Sequence, residues 1–247
     1  MTAHQKDKAW YKRWFNTPYY HILYKHRNDT EAQIFIDHIL KATALEEQGH
    51  FLDLACGRGR HAIYLSKKGH KVTGLDLSPE NIEFARQFEK ENLHFQQGDM
   101  REPYGADLYH CVLNLFTSFG YFNSLDESLM ACQQVKSALV KGGYFWLDFM
   151  NVHKVAMGLV PQEIVEAQGL RFAIERKIEK GQVVKEISFV AKGQTHHYQE
   201  RVQLLTLADF EALFKQAGLT LEACYGNYKL EAFDKNKSDR LILKARA

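Results

Sequence analysis

Three acids and one turn of small residues carry the chemistry legible in this chain. Asp53 interrupts the apolar run Phe51-Leu52-Asp53-Leu54, and the turn Ala55-Cys56-Gly57-Arg58-Gly59 follows at once. Asp76 and Asp99 come next at equal steps along the chain, each closing a strand-like segment. A turn that leaves a strand and opens a helix can bring its backbone against a ligand only where side chains are small. The helix behind it presents free N–H groups and the positive end of its dipole. An acid at the tip of the second strand accepts hydrogen bonds from ribose hydroxyls. The chemistry implied is the binding of a nucleotide-type cofactor.

The spacing Gly57-x-Gly59-x-x-Ala62 also fits a dinucleotide fingerprint. Two features weigh against that reading. Asp53 stands inside a strand that is apolar in dinucleotide sites, and Asp99 supplies a further acid at the end of the third strand, where it can accept from an adenine amino group.

The elements that must position these residues alternate. Strand patterns cover 51–54, 71–75, 93–97, 108–115 and 144–149. Helical patterns cover 60–68, a stretch opened by Ser78-Pro79-Glu80, and 125–140, which Lys141-Gly142-Gly143 should stop. Alternation of this kind predicts an α/β fold, a doubly wound parallel sheet. Two helices precede it, over 5–15 and 30–45, with Pro18 breaking the first. Residues 163–205 alternate with a strand period and carry turn signals at Gly181-Gln182 and Gly193-Gln194, which predicts an inserted antiparallel meander. The expected organisation is a core of 1–162 and 206–247 with an N-terminal helical lid, and a β subdomain over 163–205 that caps a substrate or meets a second copy in a homodimer. A helix over 207–217 and strands over 221–225 and 241–245 end the chain.

The 247 residues suffice for a buried core. The net charge of +2 is too small for the electrostatic footprint of a nucleic-acid binder. Cys56, Cys111, Cys132 and Cys224 form no CxxC pair, so reduced thiols in a cytoplasmic protein are expected. The first fifteen residues are too polar for a signal peptide, and no apolar run is long enough to span a membrane. His196 and His197 are neighbours in a strand pattern and face opposite ways, so no metal site is expected there.

The motifs are more specific than their parts. Leu52-Asp53-Leu54-Ala55-Cys56-Gly57-Arg58-Gly59, then Gly74-Leu75-Asp76-Leu77-Ser78, then Gln97-Gly98-Asp99-Met100 resemble the first three motifs of the class I S-adenosylmethionine-dependent methyltransferases. Leu113-Asn114-Leu115-Phe116-Thr117-Ser118-Phe119-Gly120-Tyr121 is similar to the fourth motif, and Lys141-Gly142-Gly143-Tyr144-Phe145-Trp146-Leu147-Asp148 to the segment entering the fifth strand. The nearest branch is the small-molecule one that includes glycine N-methyltransferase. Ala55 stands where the first loop glycine is usual.

The resemblance implies a Rossmann-like seven-strand sheet ending in an antiparallel hairpin, and S-adenosylmethionine as cofactor. It implies that Asp76 holds the ribose diol with Leu77 on the adenine face, and that Asp99 and Met100 meet the adenine edge. Ala55, Cys56, Gly57 and Gly59 would line the methionine portion, Asp53 would orient the loop or reach the amino group through water, and Asn114 and Leu115 would face the cofactor. The segment Tyr19-Tyr20-His21-Ile22-Leu23-Tyr24-Lys25-His26-Arg27 is similar to the lid of that branch. There, Tyr20 and Tyr24 would close over the cofactor and Arg27 would pair with its carboxylate; the alternative is a helix packed on the core with Arg27 in solvent.

Methyl transfer from a sulfonium is an in-line displacement that asks mainly for alignment and exclusion of water. A neutral amine needs no strong base, so the lack of a catalytic dyad is no objection. Phe116, Thr117, Phe119, Tyr121, Asn151 and His153 follow strands four and five and are the candidate substrate residues, with His153 as a possible base. The expected acceptor is a small molecule, an amine fitting best. An RNA or protein methyltransferase would share the core, and a nicotinamide-dependent oxidoreductase would share the glycine turn.

Overall fold

The computed structural model describes residues 10–24, 29–45, 48–116 and 118–247. Helices α1 (Trp10–Trp14), α2 (Pro18–Leu23) and α3 (Asp29–Thr43) come first. They lead into β1 (His50–Leu54), α4 (Arg60–Lys67), β2 (Lys71–Asp76), α5 (Pro79–Arg86), β3 (Leu93–Gln97) and β4 (Tyr109–Asn114). Then follow α6 (Leu125–Ala138), β5 (Leu139–Met150), α7 (Val152–Met157) and the strands β6 (Gln162–Ala167), β7 (Leu170–Glu179), β8 (Gln182–Ala191) and β9 (Gln194–Gln203). The chain closes with α8 (Leu207–Ala217), β10 (Thr220–Tyr225) and β11 (Arg240–Arg246). Residues 5–9 of the predicted first helix lie outside the described residues.

Seven strands make one sheet in the order β10-β11-β5-β4-β1-β2-β3. The first five strands in sequence pair in parallel, and β11 runs antiparallel to both β5 and β10. This is the expected α/β sheet with its antiparallel terminal hairpin. Phe35, Ile36 and Ile39 of α3, Leu65 of α4 and Ile82 of α5 pack on one face. Val135 of α6 and Phe210, Leu213 and Phe214 of α8 pack on the other. Covered on both sides, β1 is buried along its whole length, which is why its sequence is apolar apart from His50 and Asp53. Side-chain caps set the helix starts: Ser78 on α5, Ser124 on α6, and a reciprocal Thr206–Asp209 box on α8.

One boundary differs from the sequence reading. The helix α6 stops at Ala138, not at Gly142, and Leu139 already has extended backbone. Gly142, at φ +77°, lies within β5, where the β4–β5 register shifts after Tyr109. Its N–H is taken by the carbonyl of Ala247, so the glycine bends a strand instead of ending a helix.

The strands β6 to β9 form a second, antiparallel sheet. Three two-residue turns join them: Gln168-Gly169, Lys180-Gly181 and Lys192-Gly193. Every one of these six residues has positive φ. That is the hairpin turn whose twist matches the strands. The turn signals at Gly181-Gln182 and Gly193-Gln194 thus lie one residue past two of these turns, and the first turn, Gln168-Gly169, is an addition to the expected pair.

The short helices α1 and α2 are held by this second sheet. Trp10, Trp14 and Leu23 bury themselves against Phe172, Ile174, Ile187 and Phe189. A polar knot lies beside that cluster. The Glu200 carboxylate accepts from Trp14 Nε1 at 2.6 Å and from the Tyr24 hydroxyl at 2.8 and 2.9 Å, and Lys185 lies 3.6 Å away. Glu200 and Lys185 side chains are each only 14% exposed. Breaking a largely buried ion pair from one side is costly, because the remaining charge stays desolvated. Glu200→Ala should therefore lower the unfolding free energy by about 2–4 kcal/mol in urea titration and red-shift the tryptophan emission. A loss under about 1 kcal/mol would mean that the knot does not anchor the helices.

Candidate active site

A cavity of about 500 Å³ opens at the carboxyl ends of β1 to β4, under α1 and α2. The sheet reverses its winding between β1 and β4, and open α/β sheets bind ligands at such a switch point. The turn after β1 forms one wall. Ala55, Gly57 and Gly59 all take positive φ, at +61°, +57° and +83°. The two glycines do different work. A Cβ on Gly57 would meet no atom within 4 Å, so bare backbone faces open space there. A Cβ on Gly59 would lie 2.6 Å from the Phe95 ring, so Gly59 is small for packing.

The acids are bound into the wall. Asp76 Oδ2 accepts from the Gly57 N–H at 2.8 Å, and Oδ1 accepts from the Ser78 N–H at 2.9 Å. Burial raises its pKa against the pull of these donors. Asp53 lies deeper, 1% exposed, with Oδ2 accepting from the Ala62 N–H at 3.1 Å. Burial pushes its carboxyl up to about 7, opposed by that hydrogen bond and by Arg60. Asp99 is gripped by Arg101, whose backbone N and Nε meet Oδ1 at 3.0 Å while Nη2 meets Oδ2 at 2.6 Å. The same arginine reaches Glu127 at 2.8 Å. Burial, with Asp53 and Asp76 nearby, holds the Cys56 thiol well above its ordinary range, so it is no nucleophile.

Two histidines line the cavity, and neither carries charge near neutral pH. Burial and Arg58 bring His21 down to about 4, and burial and Arg60 bring His61 down to about 3. Aromatic rings make much of the remaining wall: Tyr11, Phe15, Tyr20, Tyr24, Phe116 and Tyr121.

The structure brings together Tyr20, Tyr24, Ala55, Cys56, Gly57, Asp76, Leu77, Asp99, Met100, Leu115, Phe116 and Tyr121 around this cavity. It places other expected residues elsewhere. Asp53 lies beneath the turn, and Gly59 sits in it against the Phe95 ring. Asn114 is buried and ties the end of β4 to β1 through Nδ2 and the Leu54 carbonyl at 2.9 Å. Phe119 is 1% exposed and packs on Phe122 and Phe210, because its apolar ring completes the core under the loop. Asn151 does not line the cavity: it caps α7 and donates to the carbonyls of Lys235 and Ser238 at 2.9 and 2.8 Å. His153 is exposed on α7 and does not line the cavity, so the base reading loses its geometry. Arg27 and Thr117 lie outside the described residues.

The sequence reading missed Tyr11, Phe15, Asn16 and His21, and the arginines Arg58, Arg60 and Arg101. The pairing of Tyr11 with Phe15 on one helix face was legible; which cavity that face would roof was not.

A family model described as a methyltransferase domain matches residues 51–143. YqeM, a candidate methyltransferase of Bacillus subtilis (strain 168), is 35% identical over 116 residues, which are 46% of this chain and 47% of that protein. This match thus spans about half of that relative's length. The dTDP-3-amino-3,4,6-trideoxy-alpha-D-glucopyranose N,N-dimethyltransferase of Streptomyces venezuelae is 30% identical over 191 residues, 73% of this chain and 79% of that protein. The crystal structure of an S-adenosylmethionine-dependent methyltransferase from Clostridium acetobutylicum aligns with a TM-score of 0.79 at 20% identity, covering 92% of this chain and 96% of the other.

The buried Asp53 gives this wall a pH signature. Its folded pKa of about 7 lies above the unfolded value of about 3.9, so the folded state binds the extra proton. Stability contributed by that proton is present at low pH and is lost as pH rises between these two values. Asp53→Asn keeps an acceptor for the Ala62 N–H and removes the titration. Urea unfolding should find the variant gaining about 2–4 kcal/mol on the unsubstituted protein between pH 4.5 and pH 8. A difference that stays constant over that interval would contradict the assignment.

Proposed function

The chain belongs to the S-adenosylmethionine-dependent methyltransferases, and from that premise we propose that it moves the cofactor's methyl group onto the amino nitrogen of a sugar-like small molecule. The observation that carries the reading is the lidded cavity, with bare backbone at Gly57 and the buried Asp76 carboxylate at one end and aromatic rings at the other. Its volume suits small molecules. The acceptor class follows the Streptomyces venezuelae relative, whose substrate is an amino sugar.

The residues present fit the cofactor. Asp76 would accept from the ribose hydroxyls, its geometry fixed by Gly57 and Ser78. Leu77 and Met100 would flank the adenine, with Asp99 on its edge. Ala55, Cys56 and Gly57 would border the methionine portion, where a side chain on Gly57 would intrude. When bound, S-adenosylmethionine supplies a methyl group already activated on a sulfonium. The protein's share is then alignment and dryness. Tyr20 and Tyr24 of the lid would exclude water, and Phe116 and Tyr121 would face the acceptor. The acceptor amine would have to enter unprotonated, with its lone pair free. The sheet of β6 to β9, which holds the lid, is the element that would set acceptor choice.

Mass spectrometry tests this with methyl-labelled cofactor and paired acceptors, amino sugars and their hydroxyl counterparts, free and nucleotide-linked. The expected products carry one or two labelled methyl groups on the amine only, at a rate that rises with pH toward the acceptor's pKa. Labelling of the hydroxyl counterparts alone would overturn the amine reading.

A further inference from the structure

The end of β4 holds strain that its own sequence does not relieve. Phe116 has φ +80°, in the left-handed region that disfavours bulky side chains. Its side chain lines the cavity. Its N–H donates to Asp148 Oδ2 at 3.0 Å. Asp148 is fully buried on the neighbouring strand β5, behind the cavity wall. The same oxygen accepts from the Tyr228 hydroxyl at 3.2 Å, and Oδ1 accepts from Arg240 Nε at 2.8 Å. Arg240 opens β11, and its charge is held in spite of burial: desolvation lowers its pKa, but Asp148 and Tyr228 more than offset that. Tyr228 stacks on Phe35 of α3, with ring centroids 4.4 Å apart. One carboxylate therefore joins the end of β4 to β5, to β11 and to the connection before β11.

A buried ion pair is weak evidence for stability, since desolvation cancels much of the attraction. This one has a second use, because it is aimed at a strained backbone N–H. We propose that Asp148 is a positioning residue for methyl transfer: it fixes the Phe116 backbone in its left-handed turn and so sets the wall of the cavity beyond β4, including Leu115 on the cofactor side, with Arg240 and Tyr228 orienting the carboxylate. The proposal rests on this cavity being the methyl-transfer site. Asp148 does not line the cavity and acts through Phe116.

Glycine enters the left-handed region without strain. A glycine at position 116 should therefore make the Asp148 hydrogen bond dispensable for the wall, though not for the ion pair. Calorimetric titration of S-adenosylhomocysteine separates these roles in the unsubstituted protein, Asp148→Asn, Phe116→Gly and the double variant. Asp148→Asn should weaken binding about 10-fold on its own, the effect of one charge-assisted hydrogen bond, and less than about 2-fold in the Phe116→Gly background. The melting temperature should fall alike in both backgrounds. Equal losses of affinity in the two backgrounds would overturn the proposal and leave Asp148 a purely structural residue. Should Asp148→Asn not fold, Tyr228→Phe removes one hydrogen bond and keeps the ion pair. It should weaken binding about 3-fold, again only with Phe116 in place, and no coupling there overturns the proposal equally. Failure of the unsubstituted protein to bind would overturn the cofactor reading itself, and this proposal with it. Binding without coupling overturns the positioning role alone.

Discussion

A carboxylate taken out of water must find donors, and in this protein three such acids each take a backbone N–H group close to the site. Asp76, at the end of β2, takes the N–H of Gly57 from the turn that follows β1. Asp148, on β5, takes the N–H of Phe116 from the loop that follows β4. Asp53, inside β1, takes the N–H of Ala62 in the first turn of α4. In two of the three cases the acid sits on one strand and holds the loop of the strand beside it. Parallel pairing of β1 with β2 and of β4 with β5 makes this possible, because it brings the carboxyl ends of neighbours side by side. The cavity wall is held by bonds within the chain itself, which is what alignment of a methyl donor requires.

The roof is a separate construction. Helices α1 and α2 are too short to be stable alone, and they gain order from a sheet more than a hundred residues away in sequence. Trp14 carries the contact twice, with its ring in the apolar cluster and its N–H on Glu200. Tyr24 links the same glutamate to the cavity. The two helices and the second sheet are thus joined by shared packing and by Glu200, and a change on the sheet can reach the cavity through that glutamate.

Much of the wall was legible in the sequence because its constraints are local. A strand, a turn of small residues and an acid one βα unit later fall at fixed spacing, so Gly57 and Asp76 could be placed without coordinates. The signal was coarser than the structure. Gly57 and Gly59 look alike in sequence, yet one faces open space and the other makes room for Phe95, a partner on β3 that no local pattern reveals. Phe119, Asn151 and His153 follow strands four and five in sequence. Position after a strand does not fix direction, and these three turn to the core, to a helix cap and to solvent. Asp148 was visible only as the last residue of a motif, since its meaning depends on Phe116, Tyr228 and Arg240 meeting from three distant segments.

The most direct measurement of the central claim is calorimetric titration of S-adenosylhomocysteine into the unsubstituted protein and into Asp76→Ala. One site per chain is expected in the first. In the second, affinity should be lower by about 100-fold, the size expected when a buried carboxylate that fixes the loop and meets the ribose is removed. Equal affinity in the two proteins would contradict the claim.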